Sequence, residues 1–405
     1  MQLRHLSLTN FRNFARLEID LPSGITLLHG DNAQGKTNFL EAIYYLATTR
    51  SSHTHQDKQL INWDAGQYGE PIVVGRLVAH IESADGLHQL EMRLIRDQQG
   101  LTPTFRREAL VDRRKVRLLD LLGNLRVVLF VPQDMNLITG APAARRRYLD
   151  ITLCQSDRRY CRTLSQYNKL LEQRNALLRN LAENNVRRAT DLLDIYTEQV
   201  VALGSKILLR RAVFMRDLAR EVERIHYESL TAGKETIQLS YLPRLFAKAN
   251  GAEQEQKMIA SAEWLTSHAD DLPTIEKGVR TALDDALQLD FARGATSVGP
   301  HRDDWRFWIN GRNLNHYGSR GQQRSAVLAL KMGEIAWVSA ETKDNPLLLL
   351  DDIMAELDPS RRKLLIKTLD FSDQSFITSA DIAIFSTDFL NKINVLSVNN
   401  GRISK

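Results

Sequence analysis

The chain has 405 residues, 43% of them hydrophobic and 25% charged, a composition that fits a globular protein with two or three cores. No stretch approaches the ~20 uninterrupted apolar residues of a membrane span, and residues 1–6 lack the features of a signal peptide, so a cytoplasmic protein with no membrane partner is expected. The net charge of +5 permits a polyanionic partner without requiring one.

Residues 3–8 alternate as a strand, 9–14 read as a turn, and 15–21 form a second strand ended by Pro22, Ser23 and Gly24. Residues 25–29 are a short apolar run stopping at Gly30, as a buried strand does. From Thr37 the pattern changes, and Phe39, Leu40, Ile43, Tyr44 and Leu46 recur at helical spacing. Short strands return over residues 72–130. Residues 143–285 read as mostly helical, with one apolar stripe through Leu164, Tyr167, Leu170 and Leu171 and another through Leu192, Leu193, Tyr196 and Val200. The two stripes predict an antiparallel helical hairpin broken near Glu183, Asn184 and Asn185. Cys154 and Cys161, read on one helix, share a face but lie too far apart along it for a disulfide. Strand character resumes at 304–309, with Asn310 and Gly311 as a hairpin turn, and again at 347–350 and 375–378.

The sequence Gly30-Asp31-Asn32-Ala33-Gln34-Gly35-Lys36-Thr37 fits the phosphate-loop pattern at every fixed position. Its glycines let successive backbone N–H groups turn towards one anion, and the following helix presents its N-terminus to the same place. Lys36 is suited to the terminal phosphates of ATP, and the Thr37 hydroxyl to a Mg²⁺ ion. The apolar run 347–350 ends in Asp351 and Asp352. Asp351 is placed to hold the metal, and Asp352 to orient or deprotonate the attacking water. A third element, Ser319-Arg320-Gly321-Gln322-Gln323-Arg324, precedes an apolar helix and offers a hydroxyl and a helix N-terminus. An ordinary capped helix would look the same in isolation.

This third element resembles the signature motif of the ABC-type ATPases, in which Ser319, Gly321 and Gln322 would act on the γ-phosphate held by an opposite subunit. Gln133, at a strand end, matches the Q-loop of that class and is a candidate metal or water contact. Glu356-Leu357-Asp358 resembles its D-loop. The switch position near Thr378-Ser379-Ala380-Asp381 lacks the usual His, and Asp352 stands where that class has Glu.

A wider set of stretches resembles the RecF family of bacterial recombination mediators, short relatives of the SMC and Rad50 proteins. It comprises Leu8-Thr9-Asn10-Phe11-Arg12-Asn13-Phe14, Ala143-Ala144-Arg145-Arg146-Arg147-Tyr148-Leu149-Asp150 and Gly299-Pro300-His301-Arg302-Asp303-Asp304, together with the motifs above. Ala33, where that family often has Gly, is a mild departure. The resemblance implies an α/β fold: a P-loop NTPase of ABC/SMC head type with an inserted helical lobe and a short antiparallel arm. The expected domains are 1–140, 141–290 and 291–405. It implies ATP and Mg²⁺ as cofactors, Arg12 among the nucleotide contacts, and an ATP-dependent homodimer with slow, DNA-stimulated hydrolysis. Its implied partners are double-stranded DNA, single/double-strand junctions, RecR, RecO and the RecA pathway. A transport-type ABC ATPase and an ATP-independent scaffold are the competing readings.

Residues 101–150 carry ten Arg and Lys against five acids. Few aromatics lie among them, which favours contact with duplex backbone over stacking on single strands. Arg106, Arg107, Arg113, Arg114 and Lys115 are the candidate DNA contacts. A solvated basic face would show the same pattern.

Overall fold

A run such as Leu347–Asp351, buried at every residue, can exist only with layers on both of its faces, and it marks the centre of a parallel sheet. The computed structural model describes residues 1–54, 56–66, 70–99, 102–184, 191–247, 251–370 and 372–404. The chain divides into two units, Met1–Asp134 with Glu334–Lys405, and Met135–Gly333.

The first unit holds two sheets. The antiparallel one consists of β1 (Gln2–Phe11), β2 (Phe14–Asp20), β4 (Ile72–Ser83), β5 (Gly86–Asp97), β6 (Thr104–Val111) and β7 (Arg114–Val116). Their spatial order is β2-β1-β4-β5-β6-β7. The second sheet contains the parallel strands β3 (Gly24–His29), β8 (Val127–Phe130), β12 (Leu347–Asp351), β13 (Gln374–Ser379) and β14 (Asn394–Asn399). With β15 (Arg402–Ser404) antiparallel at one edge, its order is β15-β14-β3-β13-β12-β8. Between the sheets lies helix α1 (Lys36–Thr48), whose Phe39, Leu40, Ile43 and Leu46 share one core with Leu6, Leu77, Leu347 and Phe376. Parallel strands end together, so the loops after β3, β8, β12 and β13 gather at one edge, where ligands bind in such sheets.

In the second unit, β9 (Ile237–Leu242), β10 (Asp304–Ile309) and β11 (Arg312–Asn313) form a small antiparallel sheet. Around it are helices α2 (Pro142–Ser156), α3 (Arg158–Glu183), α4 (Asp191–Ile225), α5 (Gly251–Ser267) and α6 (Leu272–Arg293). The predicted hairpin corresponds to α3 and α4, which pack on one another, with Leu178, Leu181, Leu193 and Phe291 in one apolar cluster. Asn185, part of the predicted break, lies outside the described residues.

Three details depart from the expectations. Asp157 accepts a hydrogen bond from the Tyr160 N–H and starts α3, so Cys154 and Cys161, both buried, sit on different helices. Strand β9 was hidden inside a stretch read as helical. Its pairing with β10 also ties residues 304–313 to the insert, so the second unit runs to Gly333 rather than 290. Among the described residues, no helix is long and apolar enough to cross a membrane.

Candidate nucleotide-binding site

The phosphate loop leaves β3 at Gly30 and enters α1 at Lys36. Gly30 (φ 152°) and Gly35 (φ 118°) both lie where a side chain is strained, and a Cβ on Gly30 would sit 2.3 Å from the Val398 carbonyl oxygen. Ala33 also has positive φ, 65°, which for a residue with a Cβ costs on the order of 1 kcal/mol. The departure from glycine at Ala33 is therefore a strained one. Asp31, Asn32 and Ala33 are exposed and Gln34 half-buried. The Lys36 ammonium donates to the carbonyls of Gly30 (2.6 Å) and Asp31 (2.8 Å), bridging the loop mouth. Burial lowers its pKa, opposed by Asp352, Asp351 and Asp31.

Asp351 ends β12 almost wholly buried, and its Oδ1 accepts from the Thr37 hydroxyl (2.9 Å) and the Thr378 hydroxyl (2.8 Å). The register explains the trio, since β13 runs between β3 and β12 with Thr378 opposite both Leu28 and Asp351. Thr378 also accepts the Asp352 N–H at 3.0 Å. Asp352 itself is exposed, with φ 52°, and so turns away from its buried neighbour. Gln133 is exposed in the short turn after β8, whose Phe130 pairs with Leu350. Thr37 and Asp351 make a hydroxyl–carboxylate pair of the kind that shares Mg²⁺ with phosphate oxygens. Among the described residues, no group of three His, Cys, Asp or Glu could hold a metal alone.

Sequence reasoning missed the supports of this loop. The Asn13 amide donates to the Gln34 carbonyl (2.9 Å) and its oxygen accepts from Asn38 (2.7 Å). From the β14–β15 turn, the N–H groups of Asn400 and Gly401 donate to the Gln34 side-chain and backbone oxygens. His53 Nε2 stands 3.9 Å from Asp351 Oδ2, in a segment with no pattern to signal it. Arg12, expected at the nucleotide, spends two guanidinium nitrogens on Glu41 (2.7 and 2.9 Å) and a third on the Gln59 carbonyl. It braces α1 from the antiparallel sheet.

In the second unit, Ser319 and Gln322 form a capping box at the start of α7 (Arg320–Thr342). The Gln322 N–H donates to Ser319 Oγ (3.2 Å) and the Ser319 N–H to Gln322 Oε1 (2.8 Å). The Gln322 amide also donates to Glu235, while Gly321 accepts from the Ser325 hydroxyl at its carbonyl. The capped-helix reading and the signature-motif reading thus describe the same atoms, with Ser319 exposed at the helix N-terminus.

The basic stretch resolves differently. On β6, side chains alternate, so Arg106 and Arg107 face opposite sides. Arg107 faces the core side of the sheet, pairs with Asp57 (2.7 Å) and donates to the Thr49 carbonyl (3.0 Å), and so braces the sheet. Lys115 (2.9 Å) and Arg106 (3.7 Å) both lie against Glu108. Arg113 and Arg114 are exposed at the β6–β7 turn, where Asp112 and Arg113 have positive φ.

Residues 2–404 match the family described as RecF/RecN/SMC N terminal domain. The protein named DNA replication and repair protein RecF in Roseiflexus castenholzii is 40% identical over all of this chain and 99% of its own length. The protein of the same name in Chloroflexus aurantiacus is also 40% identical, again over all of this chain and 99% of its own. A solved structure described as the recombination mediator protein RecF–ATPrS in the RecFOR pathway superposes with a TM-score of 0.82 at 29% identity, covering 100% of this chain and 98% of that one. The chain therefore belongs to the RecF family of DNA replication and repair proteins, ATP-binding members of the ABC/SMC class of ATPases.

Proposed function

We propose that this protein is an ATP-switched, DNA-binding recombination mediator that closes as a homodimer on duplex DNA near gaps and junctions. It hydrolyses ATP slowly, faster on DNA, and acts in the cytoplasm with RecO and RecR to promote RecA loading. The observation that carries the reading is the hydrogen-bonded trio Thr37, Asp351 and Thr378, which ties the phosphate loop to the acidic strand.

Each residue has a physical role in that reading. The loop N–H groups and Lys36 bind the phosphates, and Lys36 exchanges two carbonyl contacts for phosphate oxygens. Thr37 and Asp351, with Gln133 at the next strand end, would hold Mg²⁺, which supplies charge neutralisation on the phosphates. Asp352, exposed beside them, orients the attacking water. Ser319, Gly321 and Gln322 of one copy complete the nucleotide site of the other, so that dimerisation and ATP binding are one event. The transport reading has no observation in its favour.

The test is fluorescence anisotropy of a labelled duplex with and without ATP and Mg²⁺, using the wild type and Lys36→Ala. ATP should tighten binding by the wild type, and the substitution should abolish the gain. Duplex affinity indifferent to ATP in the wild type would refute the switch.

A further inference from the structure

The loop of the second unit from Gly299 to Asp304 is held from within by buried arginines. Arg211, 2% exposed, donates to the Pro300 carbonyl (2.6 Å), Asp303 (3.0 Å) and Asp150 (2.6 Å). Asp303 also accepts from the Tyr241 hydroxyl. Arg145 holds Asp304 through two nitrogens, at 2.6 and 3.1 Å. Both acids of the loop are thereby taken by interior cations.

The outer side of the same loop collects four further arginines. Arg302 directs Nε and Nη2 at a single acceptor, the Thr296 carbonyl (3.2 and 3.0 Å). Arg146 rests on the Asp303 carbonyl (2.7 Å). Arg244 donates its backbone N–H to Asp303, while its side-chain Nε is buried without a hydrogen bond. Arg293, in the last turn of α6, is exposed. Among the described residues, none of these four arginines has a carboxylate within ion-pair distance. Burial first, then Arg293 and Arg302, lower the Arg244 pKa; at Arg146 burial also lowers it, with Asp303 and Asp304 opposing and Arg211 and Arg302 adding to the fall. Several cations around one loop, both of whose acids are spent, form a site for a polyanion.

We propose that Arg146, Arg244, Arg293 and Arg302 form the surface of the second unit that binds the phosphate backbone of duplex DNA. The inference rests on the DNA-binding reading above and supplies its contact surface. Backbone contact fits better than base stacking, because Phe246, the aromatic beside Arg244, already has Arg244 (5.7 Å) and Lys257 (5.8 Å) over its ring. Phosphate contacts of this kind hold any sequence, as a mediator acting at gaps requires.

The experiment compares two double charge reversals of equal net charge, Arg293→Glu with Arg302→Glu and Arg106→Glu with Lys115→Glu, by duplex anisotropy with ATP across a salt series. All four side chains are exposed. The first pair should lower affinity on the order of a hundredfold near 0.1 M salt and reduce the slope of log K against log salt by about 2. The second pair should leave the slope unchanged. Equal losses in both pairs would mean that only overall charge matters and would overturn the surface. Wild-type protein that fails to bind duplex would instead refute the reading beneath it. If Arg302→Glu lowers the melting temperature, Arg293→Glu alone decides, since its side chain holds no hydrogen bond or ion pair among the described residues. It should weaken binding on the order of tenfold, and wild-type affinity for that variant overturns the proposal.

Discussion

Two regions of this protein are rich in arginine, and they use it in opposite ways. On the outer face of the antiparallel sheet, cations alternate with carboxylates across neighbouring strands. Arg76 (2.8 Å) and Arg93 (2.6 Å) share the buried Glu91, and Lys115 and Arg106 share Glu108. Around the loop Gly299 to Asp304, the carboxylates point inward to Arg211 and Arg145, whereas among the described residues Arg146 and Arg302 meet carbonyls, Arg244 meets the Phe246 ring, and none of these or Arg293 has a carboxylate within ion-pair distance. The first region is dense in charge along the chain, and each of these four cations already lies against a carboxylate. The second is scattered from 146 to 302 in sequence and concentrated by folding. What a cation offers a partner depends on whether folding has already paired it.

The sharpest test of that contrast lies inside the second region. Arg211→Met should destabilise the unit by about 3–5 kcal/mol, because Asp303 is left buried and charged without its partner. Urea unfolding followed by circular dichroism would report this as a lower midpoint. A loss under about 1 kcal/mol would mean that Tyr241 and the Arg244 N–H suffice for Asp303, and the inward-paired description would fail.

His301 gives the next largest effect. Its Nε2 faces the Thr296 carbonyl, which can only accept, so Nε2 carries the proton and Nδ1 accepts from the Tyr167 hydroxyl. Burial, with Arg302, Arg146 and Arg211 nearby, lowers its pKa from 6.5 to about 4. A folded pKa below the unfolded one means that the neutral ring stabilises the fold fully above pH 6.5. That contribution, about 3 kcal/mol, is lost as pH falls from 6.5 towards 4. Unfolding midpoints of the wild type should therefore drop over this window, and His301→Gln should flatten the drop. An unchanged slope in the variant would assign the acid sensitivity to the carboxylates.

The sequence made the nucleotide site legible because its chemistry is local. Gly30 to Thr37 are contiguous, and an apolar run ending in Asp351 can hardly be anything but a buried strand end. What brings Thr37 to Asp351 is not local. It depends on Thr378 in the strand between them, on Asn13 from the first hairpin, and on Asn400 and Gly401 from the last turn. No spacing links those residues, so only the register of the sheet reveals them. The helical insert was legible from its apolar stripes, whereas β9 was not, since six residues between helices carry too short an alternation. The capping box at Ser319 and Gln322 was written in the sequence as much as the signature motif was, and no rule of spacing separates the two.

The basic stretch shows the limit most plainly, and it also supplies the smallest effect. Counting charge from 101 to 150 grouped Arg106 with Arg107, although a period of two places them on opposite faces. Arg107→Ala should cost about 1–2 kcal/mol, since Asp57 and the Thr49 carbonyl lose their donor. Arg106→Ala should change stability by no more than about 0.5 kcal/mol, because its contacts to Asp97 (4.0 Å) and Glu108 (3.7 Å) are long and its side chain is 54% exposed. Neither substitution should alter the salt dependence of duplex binding. A shallower salt slope in Arg106→Ala would show that the paired face does reach DNA, and that a carboxylate partner does not withdraw an arginine from a phosphate.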